Sequence, residues 1–297
     1  MLRISAFVMG CVLSIGACLA NETSTSQQEQ KQQMRVAALN WSAAEALISL
    51  GIVPVGVADP KGYSDWVKAP KLPEGITDLG TRGEPNLEVL HRLKPDLIIT
   101  SPGLESALSS MPDTPALIQD TFRDDHNNGQ AIDRSFVEIA KAVNKEAQAQ
   151  RILSQREANM NRWKEQLKQH FNGNVPRVSL AQFMNTSTAA VYGTNSSIEY
   201  ALSQLGIKPA ITTANNAWGV VNLPLTKLAA IDDGVLIYVR PFAEEKKLFS
   251  SVLWQHLPFV QKGHFLTIEP CWAYGSALSI ERIAQATTQA LLSLPAQ

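Results

Sequence analysis

Arg82 and a set of aromatic residues in joining loops are the side chains whose type and spacing suit recognition chemistry. Arg82 stands in Gly80-Thr81-Arg82-Gly83, directly before Glu84-Pro85. A surface arginine is usually uncommitted. A guanidinium in a glycine-flanked loop beside aromatic residues is better placed to grip oxygens through its planar fork. Tyr63 and Trp66 fall in the proline-rich stretch 59–81, which reads as a loop. Trp218 lies in Asn215-Asn216-Ala217-Trp218-Gly219, and Trp272 and Tyr274 in Glu269-Pro270-Cys271-Trp272-Ala273-Tyr274-Gly275, directly after a strand pattern. Aromatics two apart in a loop can face the same way and form the wall of a ligand cleft. Any one of them could equally be interior packing. Finding all of them between elements favours a shared cleft.

Catalytic patterns are missing from the sequence. The five histidines, His91, His126, His170, His256 and His264, show no ligand-like spacing. The pairs Asp124-Asp125 and Asp232-Asp233 sit in turn contexts and read as solvated loops. No GxSxG elbow occurs, and no GxGxxG loop follows a strand, which disfavours acyl transfer and dinucleotide binding. Beyond the leader the only cysteine is Cys271, a small buried hydrophobe by expectation, so no cysteine metal cluster or internal disulfide is expected. No constellation in the sequence argues for chemistry or for a bound cofactor.

The elements that must position these loops repeat. Strand and helix patterns alternate over 35–130 and again over 174–297, the mark of two similar α/β lobes with mainly parallel sheets. Between them, over 131–173, apolar residues recur every three or four positions among Lys, Glu, Gln and Arg, with looser gaps around Leu153. From Asp133 to Phe171 that is an amphipathic helix without Pro or Gly, stopped by Asn172-Gly173. Pattern alone leaves one long helix or two with a break at 148–155. The repeat of the lobes favours one unbroken helix joining them, with the cleft between the lobes.

Bulk properties bound the partners. The chain has 297 residues, enough for two domains, and a formal net charge of -1, which offers no electrostatic case for nucleic acid. Arg3, then the apolar run 4–15 and Leu19-Ala20, read as a signal peptide over 1–20. The alternative is a lipoprotein box, Ile15-Gly16-Ala17-Cys18, with Cys18 lipidated. A polar tether over 21–34 suits either, and export to the periplasm follows from both.

One combination of motifs resembles the periplasmic ferric hydroxamate siderophore-binding proteins, receptors of ABC importers of the iron-siderophore and cobalamin type. It comprises Ala38-Leu39-Asn40-Trp41, Glu45, the run from Leu50-Gly51 to Ala58-Asp59, Tyr63, Trp66, Gly80-Thr81-Arg82, Glu84-Pro85-Asn86-Leu87-Glu88 and Lys94-Pro95-Asp96. It returns at Trp218-Gly219, Pro258-Phe259-Val260 and Trp272-Ala273-Tyr274-Gly275. The resemblance implies two α/β lobes joined by one long helix, with little movement on binding. It implies a monomer that passes a ferric siderophore to an inner-membrane ABC permease. Arg82 matches an arginine that reaches the iron-bound hydroxamate oxygens. Trp41, Tyr63, Trp66, Asn216, Trp218, Trp272 and Tyr274 match cleft positions. The iron arrives already chelated and needs no protein ligand. Two positions depart from the pattern. A cleft tyrosine is replaced by Leu104. Of the two acidic residues that meet the permease, Glu88 fits the first, while Thr226 holds the second position, with Asp232 or Asp233 as substitutes. Haem, cobalamin or a catecholate siderophore on the same fold, and an exported two-lobed enzyme, are the competing readings.

Overall fold

The computed structural model describes residues 34–125 and 127–296. The leader, Cys18, most of the tether and His126 lie outside them. The described chain begins with β1 (Val36–Ala38), α1 (Trp41–Ser49), β2 (Gly56–Val57), α2 (Pro60–Trp66) and β3 (Thr77–Asp78). It continues with α3 (Leu87–Leu93), β4 (Leu97–Thr100), α4 (Glu105–Leu108) and β5 (Ala116–Ile118). These strands form a five-stranded sheet in the order β3-β2-β1-β4-β5, all parallel. The order reverses between β1 and β4, and ligands of open α/β sheets bind at the carboxyl ends of the strands at such a point.

The second lobe holds β6 (Val178–Phe183), β7 (Thr188–Tyr192), α7 (Ser197–Gln204), β8 (Val220–Pro224), a short 3-10 turn (Leu225–Ala230) and β9 (Val235–Val239). The short helices α8 (Glu245–Phe249), α9 (Val252–Gln255) and α10 (Pro258–Gln261) follow, then β10 (Phe265–Ile268) and α11 (Ala277–Leu291). Its sheet runs β10-β9-β6-β7-β8. β10, β9 and β6 are parallel, whereas β6 to β7 and β7 to β8 are antiparallel, so this lobe is mixed.

Two helices, not one, join the lobes: helix α5 (Asn128–Ala142) and helix α6 (Glu146–His170). The expected unbroken helix is therefore corrected, and the break lies at 143–145 rather than 148–155. Its cause is local. Asn144 takes a left-handed φ of 55°. The amide of Lys145 donates to Ala140 O at 2.7 Å and that of Asn144 to Lys141 O at 3.2 Å, the paired bonds that close a helix at a left-handed residue. Asparagine tolerates that conformation better than other non-glycine residues. The joint is braced: Arg156 of α6 donates to both carboxylate oxygens of Asp133 of α5 at 2.6 Å, and Tyr200 donates to the same carboxylate at 3.1 Å.

Stretch 59–81 is also more ordered than a loop. Asp59 caps α2 by accepting from Gly62 N at 3.0 Å, and Pro60 occupies the first helical turn, where its missing N–H costs nothing. One apolar cluster of the first lobe, with Trp41, Leu47, Tyr63 and Ile99, continues into α5 through Phe136 and Ile139 and takes in Ala149 of α6. A second-lobe cluster around Leu180, Ile237 and Ile283 continues into α6 through Met160, Trp163 and Leu167 and takes in Ile132 of α5. Burial of their apolar stripes thereby fastens both connecting helices to both lobes.

Candidate ligand cleft

The cleft of about 320 Å³ is lined from both lobes. Segments after the carboxyl ends of β1, β4 and β5 supply Asn40, Trp41, Ser42, Ser101, Gln119, Asp120 and Phe122, and the loop after β3 supplies Arg82. The second lobe supplies Trp218, Trp272 and Tyr274.

The aromatic rings form a continuous wall. Trp41 meets Trp272 edge to face at 4.8 Å between centroids, and Trp272 meets Tyr274 at 5.3 Å. Tyr274 meets Trp218 at 5.5 Å, and Trp218 stacks on Phe122 at 5.4 Å. Such pairs add about 0.5–1.5 kcal/mol each beyond simple burial, and here the wall crosses from one lobe to the other. Trp218 stays 55 % exposed although it is large and apolar, the kind of surface that a ligand covers. Its loop is tightly specified. Gly219 has φ +64°, and a Cβ there would lie 2.2 Å from Ser196 N, so no other residue fits.

Arg82 lies against this wall. Its guanidinium carbon sits 3.7 Å from the Trp41 ring centroid and 5.7 Å from that of Trp272. Its Nε is 4.0 Å from Asp59 Oδ2. The same Asp59 accepts the Trp41 indole N–H on its main-chain oxygen at 3.0 Å. Asp59 thus fixes both the ring and the charge stacked on it. Burial lowers the Arg82 pKa from its ordinary value and Asp59 opposes that shift, so the group remains a cation. Across the cleft Asp120 accepts from Arg123 at 3.0 Å, and Asn40, Ser42 and Ser101 link to one another, Ser42 also donating to Gln119. The walls are apolar, with oriented polar groups and nearly balanced charge.

The structure gathers Trp41, Arg82, Trp218, Trp272 and Tyr274 in one cleft, and leaves three expected residues out of its lining. Tyr63 is wholly buried and donates to Pro70 O at 2.7 Å. It faces the core because α2, not a loop, carries it. Trp66 backs Trp272 at 6.5 Å. Asn216 braces the Trp218 loop, accepting from Trp218 N and donating to Val220 O, both at 3.0 Å. Leu104 is buried with Leu108 and Met111. Sequence reading missed Phe122; an aromatic directly beyond the carboxyl end of a parallel strand was the available signal.

Burial pushes the Cys271 thiol up to about 12, as a buried small hydrophobe requires. Among the described residues no cluster of His, Cys, Asp or Glu suits a metal ion, and no helix is long and apolar enough to cross a membrane. Glu88 is exposed in the first turn of α3, which follows the Arg82 loop. Asp232 and Asp233 precede β9 at the end of the sheet opposite the Trp272 loop, paired with Arg177 at 3.3 Å and Lys262 at 2.9 Å.

Comparisons with known proteins agree with this architecture. Residues 36–270 match a family described as periplasmic binding protein. The chain is 32% identical over 247 residues to the iron(3+)-hydroxamate-binding protein FhuD of Escherichia coli K12, covering 82% of each. It is 26% identical over 291 residues to the Fe(3+) dicitrate-binding periplasmic protein FecB of the same organism, covering 93% of this chain and 90% of that one. The crystal structure of the siderophore-binding protein FhuD of Vibrio cholerae, bound to Fe3+–Desferal, superposes with a TM-score of 0.84 at 37% identity, covering 88% of this chain and 98% of that one. Two α/β lobes, a cleft at the strand ends and these matches lead to one conclusion: the chain belongs to the periplasmic binding protein family, whose members bind rather than catalyse, and its likeness runs to the siderophore receptors within it.

Proposed function

We propose that the protein is the substrate-binding component of an ABC-type importer for iron siderophores, and that its ligand is a ferric hydroxamate. The observation that carries the reading is Arg82 stacked on Trp41 within an aromatic wall shared by both lobes. The aromatic faces cover the apolar backbone of the chelate, and the Arg82 fork satisfies iron-bound oxygens that would otherwise be buried unpaired. The siderophore fills the coordination shell of the iron, so the protein supplies no metal ligand.

Charge separates this ligand from its rivals. Arg82 is offset by Asp59, and Asp120 is paired with Arg123. A polyanionic catecholate or citrate complex would enter a cleft with no surplus of positive charge. Of the two tyrosines that could offer haem an axial ligand, Tyr63 is buried away from the cleft and Tyr274 lines it, so haem is a rival that direct titration must separate. The relatives named for hydroxamate or bound to Desferal support the same choice. For delivery to the permease, Glu88 is the docking acid proposed on the first lobe, exposed in the first turn of α3.

A ligand that binds only the folded state stabilises it, by about 2.7 kcal/mol at a hundredfold excess over Kd, and so raises the unfolding midpoint. A thermal-shift panel of ferrichrome, ferrioxamine B, ferric dicitrate, ferric enterobactin, haem and cobalamin should single out the hydroxamates. A rise confined to any other member would overturn the reading.

A further inference from the structure

The lobes are covalently joined through a broken helix pair, yet they meet most intimately elsewhere. Glu45 lies one turn beyond Trp41 on α1, and its carboxyl is wholly buried. It reaches across to the start of α11. Oε1 accepts from Ser279 N at 2.7 Å, and Oε2 accepts from Ser276 N at 3.1 Å and Ser279 Oγ at 2.7 Å. The first amides of a helix need acceptors, normally supplied by the side chain of the capping residue. Ser276 occupies the capping position but makes no such bond. The first lobe caps a helix of the second.

The approach is close. A Cβ on Gly275 would lie 2.0 Å from Ser279 Oγ and 2.5 Å from Glu45 Oε2. Gly275 directly follows Tyr274, and Trp272 touches Trp41, so the segment fixed by Glu45 is the one that carries the second-lobe wall. Two turns on, Arg282 donates to Val67 O and to Ala69 O, the latter at 2.7 Å, a second tie from α11 to the first lobe. Arg282 and Tyr63 are the charged and titratable neighbours that act on the Glu45 carboxyl or feel it. Burial raises the Glu45 pKa despite the three hydrogen bonds, so desolvation outweighs what the bonds return.

We propose that Glu45 is a positioning residue for ligand binding: by capping α11 from the opposite lobe it holds Trp272 and Tyr274 in register with Trp41 and Arg82, so that the cleft is preformed. The affinity part of this proposal rests on the ligand reading above; the capping part does not.

Glu45→Gln replaces one acceptor oxygen with an NH2 group facing donors. Two measurements on the full chain decide the matter. Hydrogen exchange in peptides spanning 272–280 should accelerate about tenfold or more while the strands of both sheets stay protected, because the loss is local. The Kd for ferrioxamine B should rise about fivefold or more, with far-UV circular dichroism unchanged, because preorganisation is lost. A merely structural carboxylate would change the global midpoint and leave both readouts alone; unchanged exchange over 272–280 together with a Kd within twofold of wild type would overturn the proposal. Should Glu45→Gln fail to fold, Ser279→Ala, which removes one donor, gives the same signature in weaker form, and a wild-type response there overturns it equally. If the wild-type protein binds no ferrioxamine B, the ligand reading fails, and the exchange measurement alone still decides whether Glu45 holds the segment.

Discussion

Replacing Arg82 with alanine should weaken binding of ferrioxamine B by roughly 1.5–3 kcal/mol, the range for a hydrogen bond to a charged group. That is about tenfold to 150-fold in Kd. The free protein should notice the change far less. Arg82 is stacked on Trp41 at 3.7 Å from the ring centroid, and a cation over a ring at a partly exposed site contributes about 0.5–1 kcal/mol. Asp59, left without its 4.0 Å neighbour, remains in contact with water and still caps α2. The unfolding midpoint should therefore move little while the affinity falls. Arg82→Lys keeps the charge and loses the planar fork, so its affinity should lie between the two. Isothermal titration of all three proteins with ferrioxamine B, beside urea denaturation without ligand, measures both quantities. Alanine and wild-type affinities within twofold would remove Arg82 from the site. Equal losses in stability and binding would make it a structural residue.

Three other perturbations test separate parts of the account. Tyr63→Phe should leave ferrioxamine B affinity unchanged and cost about 1–3 kcal/mol in urea denaturation, because Pro70 O loses its donor; weakened binding would return Tyr63 to the site. Asn144→Gly should be tolerated within about 0.5 kcal/mol, whereas Asn144→Ala should cost about 1–2 kcal/mol at its φ of 55°, and equal midpoints for the two would contradict the helix break. Glu45 provides a pH dependence. Its pKa is raised above the ordinary value of 4.5, so the folded state holds its proton more tightly than the unfolded chain does. The stability this contributes is fully present below that ordinary value and is lost as the pH rises through the folded one. As the pH is lowered towards that ordinary value the wild-type midpoint should rise relative to that of Glu45→Gln; parallel curves would contradict the shift.

Much of the fold was legible because strand and helix patterns repeat with punctuation that has a mechanism. Asn86 and Ser196 cap α3 and α7, and Gly51 and Gly206 follow helix ends with positive φ. The helix break was hidden because its signal is an asparagine inside an amphipathic run, where no Pro or Gly gives warning. The helix α2 was readable from Asp59-Pro60 and was obscured by the prolines after it. The site divides along similar lines. Arg82, Trp218, Trp272 and Tyr274 stand in joining segments, where a conspicuous residue signals a surface. Tyr63 stands on a short helix whose face toward the core depends on tertiary packing. Phe122 and Glu45 act through neighbours more than ninety residues away along the chain, Trp218 and Ser279. Local pattern carries no trace of such contacts.

The central claim is that the aromatic wall and Arg82 hold a ferric hydroxamate. Tryptophan fluorescence tests it most directly, since Trp41, Trp218 and Trp272 line the cleft. Titration with ferrioxamine B should quench the emission saturably at one ligand per chain, with a Kd of about 1 µM or tighter, and iron-free desferrioxamine B should bind far less well. Absence of saturable quenching by ferrioxamine B and ferrichrome, with tight binding of ferric dicitrate, haem or cobalamin in their place, would contradict the account.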